Sequence, residues 1–238
     1  MRGTLLSRKD SGGIKTNDDR VLAMTDKTKM ERAIEGKARL REKLGQALPR
    51  ALGGRDRLPP GQHLVQNFPI LDLGIHPRFD AANWRFRVEG EVENPIDLSW
   101  EEFTALPKAV QTSDFHCVTT WSKYDVTWGG VKFSTLVDMV RPTANATHLI
   151  QACSDDYTTN LPLDELSGSD VMVAYELEGQ PLSIEHGGPV RMIVPHLYAW
   201  KSSKFLNRFV FQDHDTPGFW EIRGYHNRGC PWKEERFG

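Results

Sequence analysis

Short strand-like segments separated by turn residues fill the chain from about residue 63 onward, and they restrict its fold more than any other feature. Within Trp84–Val92, apolar residues alternate with charged ones until Gly90 ends the alternation. A period of two is typical of a strand that buries one face. Further strands are predicted at His148–Ala152, Val171–Leu177, Val190–Val194 and Phe205–Phe211.

Two short helices are predicted among these strands. Leu98–Leu106 carries Ser99 as an N-cap with Glu102 three residues later, which is the capping-box pattern, and Pro107 follows its end. Val131–Val140 places its apolar residues on one helix face. Many short strands with a few interspersed helices predict an α+β fold with mixed β-sheets.

The N-terminal 55 residues differ in character from the rest of the chain. Residues 1–25 are polar, and we expect them to be loosely ordered. Residues 53–62 have the glycines and prolines of a linker. We therefore expect a flexible and helical arm over residues 1–55 and one domain over residues 56–238. Residues 26–47 predict an amphipathic helix, lying on its own domain or on a partner subunit, with apolar positions at Met30, Ala33, Ile34, Ala38, Leu40 and Leu44.

Composition and charge exclude several classes of function. A net charge of -2 gives no general attraction to nucleic acid or to a membrane surface. No apolar run is long enough to span a bilayer. Met1–Asp10 is not followed by an apolar segment, and no twin-arginine occurs near the start, so the expected location is the cytoplasm.

The densest group of reactive side chains is Asp114–Ser122, in which Cys117 follows His116 and precedes two threonines. A nucleophilic Cys–His pair is one interpretation. Adjacent strand residues point to opposite faces, however, so His116 is poorly placed to act as the base. A single thiolate ligand to a soft metal centre is the other interpretation. The spacing alone leaves both open.

Several motifs resemble the molybdopterin-binding domain of the sulfite oxidase family, above all its short single-domain members related to the bacterial methionine-sulfoxide reductase catalytic subunit. They occur in the family's order from about residue 60 to the end of the chain. The combination of Gly-Gly-Pro-Val-Arg with a later Lys-Ser-Ser-Lys is specific, whereas any one motif alone is weak. The motifs are Asn67–Leu71, His116–Ser122, Asp155–Thr159, His186–Pro195, Lys201–Lys204 and Gly218–Glu221.

The resemblance implies a molybdenum–molybdopterin cofactor with one pterin dithiolene. In the family, one cysteine thiolate joins the two dithiolene sulfurs on the metal, and Cys117 stands at that position. A thiolate is a soft, anionic donor and suits this role. Arg191 and Lys204 match cations that hold the pterin phosphate, together with backbone N–H groups of the turn at Ser202 and Ser203. Other positions that match cofactor contacts are Gln66, Asn67, Pro69, Ile70, Cys153 and His186.

The resemblance also implies the reaction, a two-electron oxygen-atom transfer on a small substrate. Two directions remain open, namely reduction of an S- or N-oxide and oxidation of the sulfite type. The cofactor would supply the redox chemistry and the protein would supply the pocket. Tyr157 is a candidate hydrogen-bond or proton donor. Closeness in sequence to the cofactor motifs makes four residues candidates for the pocket wall: His116, Trp121, Asp156 and Tyr157.

Departures from the family pattern bear on substrate and partners. Sulfite oxidases carry arginines soon after the ligand cysteine, whereas the first cation here is Lys123. The sequence shows neither the family's C-terminal dimerisation domain nor a haem module, so we expect electrons to be exchanged with a separate partner protein. A homo-oligomer formed through the N-terminal arm or the aromatic tail is a further expectation. The alternative to an enzyme is a cofactor-less module that binds a ligand or a protein with the same fold.

Overall fold

The computed structural model describes residues 28–39, 42 and 57–238. The stretch predicted to be loosely ordered, residues 1–25, lies outside the described residues, as do parts of the predicted helix and linker. Helix α1 covers residues 28–39, within the segment predicted to be helical. The division of the chain at residue 55 stays a prediction.

Eleven strands form two mixed β-sheets in the described part of the chain. They are β1 (His63–Leu64), β2 (Arg85–Gly90), β3 (Ile96–Ser99), β4 (Lys108–His116), β5 (Trp121–Lys132), β6 (His148–Cys153), β7 (Thr158–Pro162), β8 (Met172–Leu177), β9 (Gln180–Pro181), β10 (Arg191–Ile193) and β11 (Leu206–Gln212). The first sheet has the order β1-β5-β8-β10, with β4 paired to β5 and β9 to β8. The second has the order β3-β2-β11-β6-β7. Parallel pairing of β1 with β5 and of β2 with β11 makes both sheets mixed, which confirms the predicted α+β fold.

Local sequence signals predicted the two short helices and five of the eleven strands of the described residues, but not the long β4 and β5. Helix α2 (Trp100–Thr104) begins at the predicted N-cap. The Ser99 hydroxyl accepts a hydrogen bond from the Glu102 N–H at 3.2 Å, and the Glu102 carboxylate accepts one from the Ser99 N–H at 2.7 Å. The strand predicted at Phe205 begins one residue later, because Phe205 adopts a φ of 55°, outside the strand region.

Helix α3 (Phe133–Val140) joins the two sheets into one apolar core. It packs on β5 and β8 of the first sheet. The centroid of the Phe133 ring lies 5.6 Å from that of Phe209, a β11 residue in the second sheet. Because one helix buries side chains of both sheets, the sheets cannot slide relative to each other without opening a closely packed core.

A buried ion pair joins the C-terminal tail to the loop that precedes β11. The Lys201 ammonium lies 2.6 Å from a Glu221 carboxylate oxygen, and the two side chains are 0% and 2% exposed. Lys201 also donates to the Asn160 carbonyl at 2.8 Å. The same Glu221 oxygen accepts from the Thr159 hydroxyl at 2.9 Å and from the Trp200 indole at 3.0 Å. Strand β7, the loop and the tail therefore meet at one buried charge pair.

Removing one member of this pair would leave the other charged and buried without its partner. We expect Lys201→Met and Glu221→Gln each to lower the free energy of unfolding by about 3–5 kcal/mol, measured by urea denaturation. The double variant should lose clearly less than the sum of the single losses, because both charges are then gone. Additive losses in the double variant would contradict a direct ion pair.

Candidate active site

A cleft with about 800 Å³ of empty space, part of it open to solvent, lies at the ends of the two sheets. The first sheet contributes the loop after β4 and the start of β10, and the second contributes the turn before β7 and the loop before β11. Another part of the wall is formed by Phe68, Pro69, Leu71, Asp72 and Leu73. The candidate residues that line the cleft are Pro69, Cys117, Trp121, Tyr157, His186, Arg191, Ser202, Ser203 and Lys204.

Cys117 lies in a tight turn between β4 and β5, and its side chain lines the cleft. Its N–H donates to the Trp121 carbonyl at 2.9 Å, and its carbonyl accepts from the Thr120 N–H at 3.1 Å. Thr120 adopts a φ of 75°, which lets the chain reverse within the turn. The cysteine sulfur lies 3.1 Å from the Thr119 hydroxyl. The turn thus pairs its own backbone groups and presents the sulfur to the cleft.

Two residues outside the recognised motifs hold this turn from behind. The Gln62 side-chain amide donates to the Cys117 carbonyl at 3.1 Å. The guanidinium of Arg236, a residue 6% exposed, donates to the Val118 carbonyl at 2.7 Å. Sequence reasoning missed both, because their partners are 55 and 118 positions away and no local pattern marks them.

The cleft contains two cations with little counter-charge, the buried Arg191 and the partly buried Lys204, whose ammonium lies 3.9 Å from Asp72. Arg191 is 2% exposed and donates to the carbonyls of His186 at 2.8 Å and Ser202 at 3.1 Å. Its Nε atom is buried and has no hydrogen-bond partner among the described residues. Burial lowers the pKa of Arg191 to about 9. For Lys204, burial and then repulsion from Arg191 lower the pKa to about 8. An anion bound here would favour the charged forms of both side chains and so offset the effects of burial and of their mutual repulsion.

The serine turn that precedes β11 does not have the free backbone groups that were predicted to hold an anion. The Ser202 N–H donates to the Ala199 carbonyl at 3.1 Å, and the Ser203 N–H donates to the Gln151 side chain at 3.3 Å. The hydroxyls are paired as well, since Ser202 accepts from the Val194 N–H and Ser203 donates to Gln151. The turn is therefore a fixed wall, and the positive charge comes from the two cations.

Comparison with known proteins identifies the fold and its cofactor. The family model described as the oxidoreductase molybdopterin binding domain matches residues 73–220, which include most of the cleft. The chain belongs to this family. It is a molybdopterin-binding oxidoreductase of the sulfite oxidase family, as the motifs predicted.

Two relatives and one solved structure illustrate the similarity. The uncharacterized oxidoreductase YuiH of Bacillus subtilis is 41% identical over 182 residues, which cover 76% of this chain and 92% of the relative. The protein-methionine-sulfoxide reductase catalytic subunit MsrP of Campylobacter jejuni is 28% identical over 166 residues, covering 63% of this chain and 56% of the relative. The chain therefore spans little more than half the length of that relative. The sulfane dehydrogenase SoxCD of Paracoccus pantotrophus has a similar fold, with a TM-score of 0.54 and 20% identity over 58% of this chain and 40% of that chain.

The residues of this molybdopterin-binding domain fit an anionic cofactor. A pterin phosphate would be a counter-charge for Arg191, with which no described carboxylate pairs, and a second one for Lys204 beside Asp72. The cleft also holds a thiol at Cys117, a donor suited to a soft metal. A side chain at Gly187, whose φ is 102°, would meet the Lys204 side chain at 2.7 Å, so glycine preserves this close approach. No helix among the described residues has the length and apolarity needed to cross a membrane.

Two predicted pocket residues point away from the cleft. His116 is buried on the opposite side of β4 from its neighbour Cys117, where its Nδ1 lies 2.8 Å from the Ser122 hydroxyl. Burial lowers its pKa to about 4, so the ring is neutral. Asp156 is exposed, because its φ of 64° turns it outward. Asp155 lines the cleft instead, and burial raises its pKa to about 6.

Tyr157 and Trp121 do line the cleft, but the tyrosine hydroxyl is already engaged. It donates to the Trp200 carbonyl at 2.6 Å. Burial raises the pKa of Tyr157 well above its ordinary value, so the proton stays on the hydroxyl. In this conformation Tyr157 positions the Trp200 loop, and its proposed role as a proton donor stays a prediction.

Four other predicted contacts lie outside the cleft lining. Gln66 and Asn67 are exposed, and Ile70 is 54% exposed. Phe68 and Pro69, between them, face the cleft. Cys153 is buried behind Ser203, and burial raises the pKa of its thiol well above the ordinary value. Contact of these four residues with the cofactor stays a prediction.

Anion binding at Arg191 and Lys204 should weaken as the pH rises. Lys204 is charged below about pH 8 and neutral above it, and burial lowers the pKa of Arg191 to about 9, so that the positive charge of the pair falls as the pH rises. We expect the affinity of the cofactor-free protein for sulfate, which does not titrate in this range, to fall by about ten-fold or more between pH 7 and 9.5, measured by calorimetry.

Two variants control that measurement. Lys204→Met should bind sulfate weakly already at pH 7 and lose the part of the pH dependence centred near 8. Lys123→Met, which removes a lysine outside the cleft lining, should behave like the wild type. An affinity that does not change with pH would contradict this account of the cations.

Proposed function

We propose that this chain binds a molybdenum–molybdopterin cofactor through Cys117 as the thiolate ligand to the metal and catalyses two-electron oxygen-atom transfer on a small substrate. The observation that supports the proposal is the placement along one cleft of a buried thiol, a buried arginine that pairs with no described carboxylate, and a lysine close to that arginine. A metal–dithiolene with a phosphate on its pterin needs a soft donor at one end and positive charge at the other.

Each part of the cleft would have a separate task. The cofactor, when bound, supplies the two-electron redox chemistry. Cys117 would give its proton to solvent on binding and act as the thiolate donor. Arg191 and Lys204 would hold the phosphate, and their charged forms would be favoured once the anion is present. Trp121, together with the other aromatic residues of the lining, would exclude water from the reacting end.

The reaction needs a second protein for its electrons. In the reductive direction, an S- or N-oxide, two protons and two electrons from the partner give the reduced substrate and water. In the oxidative direction, a sulfite-type substrate and water give the oxidised product, two protons and two electrons for the partner. The name of the methionine-sulfoxide reductase relatives supports the reductive direction. Cytoplasmic location and a homo-oligomer stay predictions.

The alternative is a cofactor-less module that binds a ligand or a protein. Such a module has no use for a buried arginine whose pKa falls to about 9 only through burial. The presence of this unfavourably buried arginine together with the thiol favours the enzyme. The two alternatives differ most directly in whether the purified protein carries metal and pterin.

We expect wild-type protein from a host that makes the cofactor to contain molybdenum and pterin in near-equal amounts to protein. Cys117→Ala should lower molybdenum content by about ten-fold or more, because the protein's donor atom is gone. Elemental analysis and fluorescence of the released, oxidised pterin measure both quantities. Dye-coupled turnover of sulfoxides and of sulfite on the same samples then tests the two directions.

Cys230→Ala is the matched control, since this cysteine lies outside the cleft lining and should leave metal, pterin and turnover unchanged. Well-folded wild-type protein without metal and pterin would refute the enzyme and support the binding module.

A further inference from the structure

Helix α1 places a lysine in the cleft that no motif marks. Lys37 lines the cleft together with Cys117, and its Nζ atom lies 4.4 Å from the centroid of the Trp220 ring. Trp220 and its neighbour in space Tyr225, whose ring centroid is 5.0 Å away, form an aromatic part of the lining. The N-terminal arm therefore contributes a residue to the site, although it lies outside the matched family segment.

The phase of the helix accounts for this position. Met30, Ala33 and Ile34 pack against the apolar core of the domain. Lys37 follows at the next position of the same stripe, seven residues after Met30, so docking of the apolar face carries the lysine into the cleft. The opposite face of the helix is exposed and includes Arg39.

An apolar residue at position 37 would continue the stripe at no electrostatic cost. Lys37 instead brings a cation into a partly buried site that already contains Arg191 and Lys204. Burial lowers its pKa, while Cys117 and Asp72 act in the opposite direction. Among the described residues, no carboxylate forms an ion pair with its ammonium. The aromatic ring of Trp220 stabilises it only in part.

The cations of the cleft are held by different elements of the fold. Arg191 and Lys204 donate to the His186 and Glu185 carbonyls of the segment before β10, and Arg191 also donates to the Ser202 carbonyl of the serine turn. Lys37 comes from another element and rests on the aromatic part of the wall. Lys123, the first cation after Cys117 in sequence, points elsewhere and donates to the Gln66 carbonyl at 3.1 Å.

We propose that Lys37 forms an oxyanion-binding subsite for the substrate beside the Cys117 end of the cleft, so that the enzyme acts on small substrates carrying a negative charge. This inference rests on the proposed function and deepens it. The α1 ammonium would take the place of the arginines that this chain lacks after its ligand cysteine. A substrate oxyanion or carboxylate would accept a charge-assisted hydrogen bond from Nζ.

Sulfate is the probe, because it is a non-reducible oxyanion, and calorimetry on the cofactor-loaded full chain measures its binding. We expect saturable binding to the wild type and an affinity about ten-fold or more lower in Lys37→Gln. Lys37→Arg, which keeps the charge, should stay within about three-fold of the wild type. Arg39→Gln removes one charge from the exposed face of the same helix and should have no effect.

The outcomes separate this inference from the proposed function. Unchanged sulfate affinity in Lys37→Gln, or no binding by the loaded wild type, would overturn the subsite. Loss of molybdenum and pterin in Lys37→Gln would also overturn it, since Lys37 would then serve the cofactor phosphate. Wild-type protein without cofactor would refute the proposed function and with it this substrate subsite, because Arg191 and Lys204 would then bind sulfate themselves.

Discussion

The buried ion pair between Lys201 and Glu221 is the interaction on which the geometry of the cleft depends. It links the C-terminal tail to the loop that carries the serine turn and Lys204. The same tail supplies Trp220, the aromatic ring under Lys37. A charge pair without solvent access tolerates little displacement, because either partner alone would be left charged in an apolar core. The pair thus fixes both the anion-binding end and the aromatic part of the wall.

Arg191 and Lys204 give the cleft a positively charged end that suits an anion. Arg191 and Lys204 both have a lowered pKa because burial disfavours their charged forms, and they also repel each other. The acidic residues nearby cancel only part of this charge. Asp72 lies 3.9 Å from the Lys204 ammonium and 2.9 Å from His76, and Asp155 has a raised pKa of about 6. Among the described residues no carboxylate forms an ion pair with Arg191. Burial of this positive charge is unfavourable, and binding of an anionic cofactor would offset it.

Sequence reasoning succeeded where the signal is local. The capping box at Ser99 and Glu102 predicted the start of α2, and alternation predicted β2. The family motifs predicted which loops form the cleft. Sequence reasoning failed where one dihedral angle or a contact between residues distant in sequence determines which side chain lies at the site. The left-handed φ of Asp156 turns its side chain outward, so that Asp155 lines the cleft instead. Arg236 contacts the Cys117 turn although it lies 118 positions from Val118 in sequence. The helical pattern of α1 predicted an apolar face but not that this face would bring Lys37 to the site.

The central claim is that Cys117 is the protein's ligand to molybdenum. Molybdenum X-ray absorption spectroscopy on cofactor-loaded protein tests it most directly, because the fine structure counts the sulfur atoms around the metal. The account predicts one sulfur neighbour more in the wild type than in Cys117→Ser, with an oxygen in its place in the variant. An identical sulfur count in the two proteins, with the metal retained in both, would contradict it.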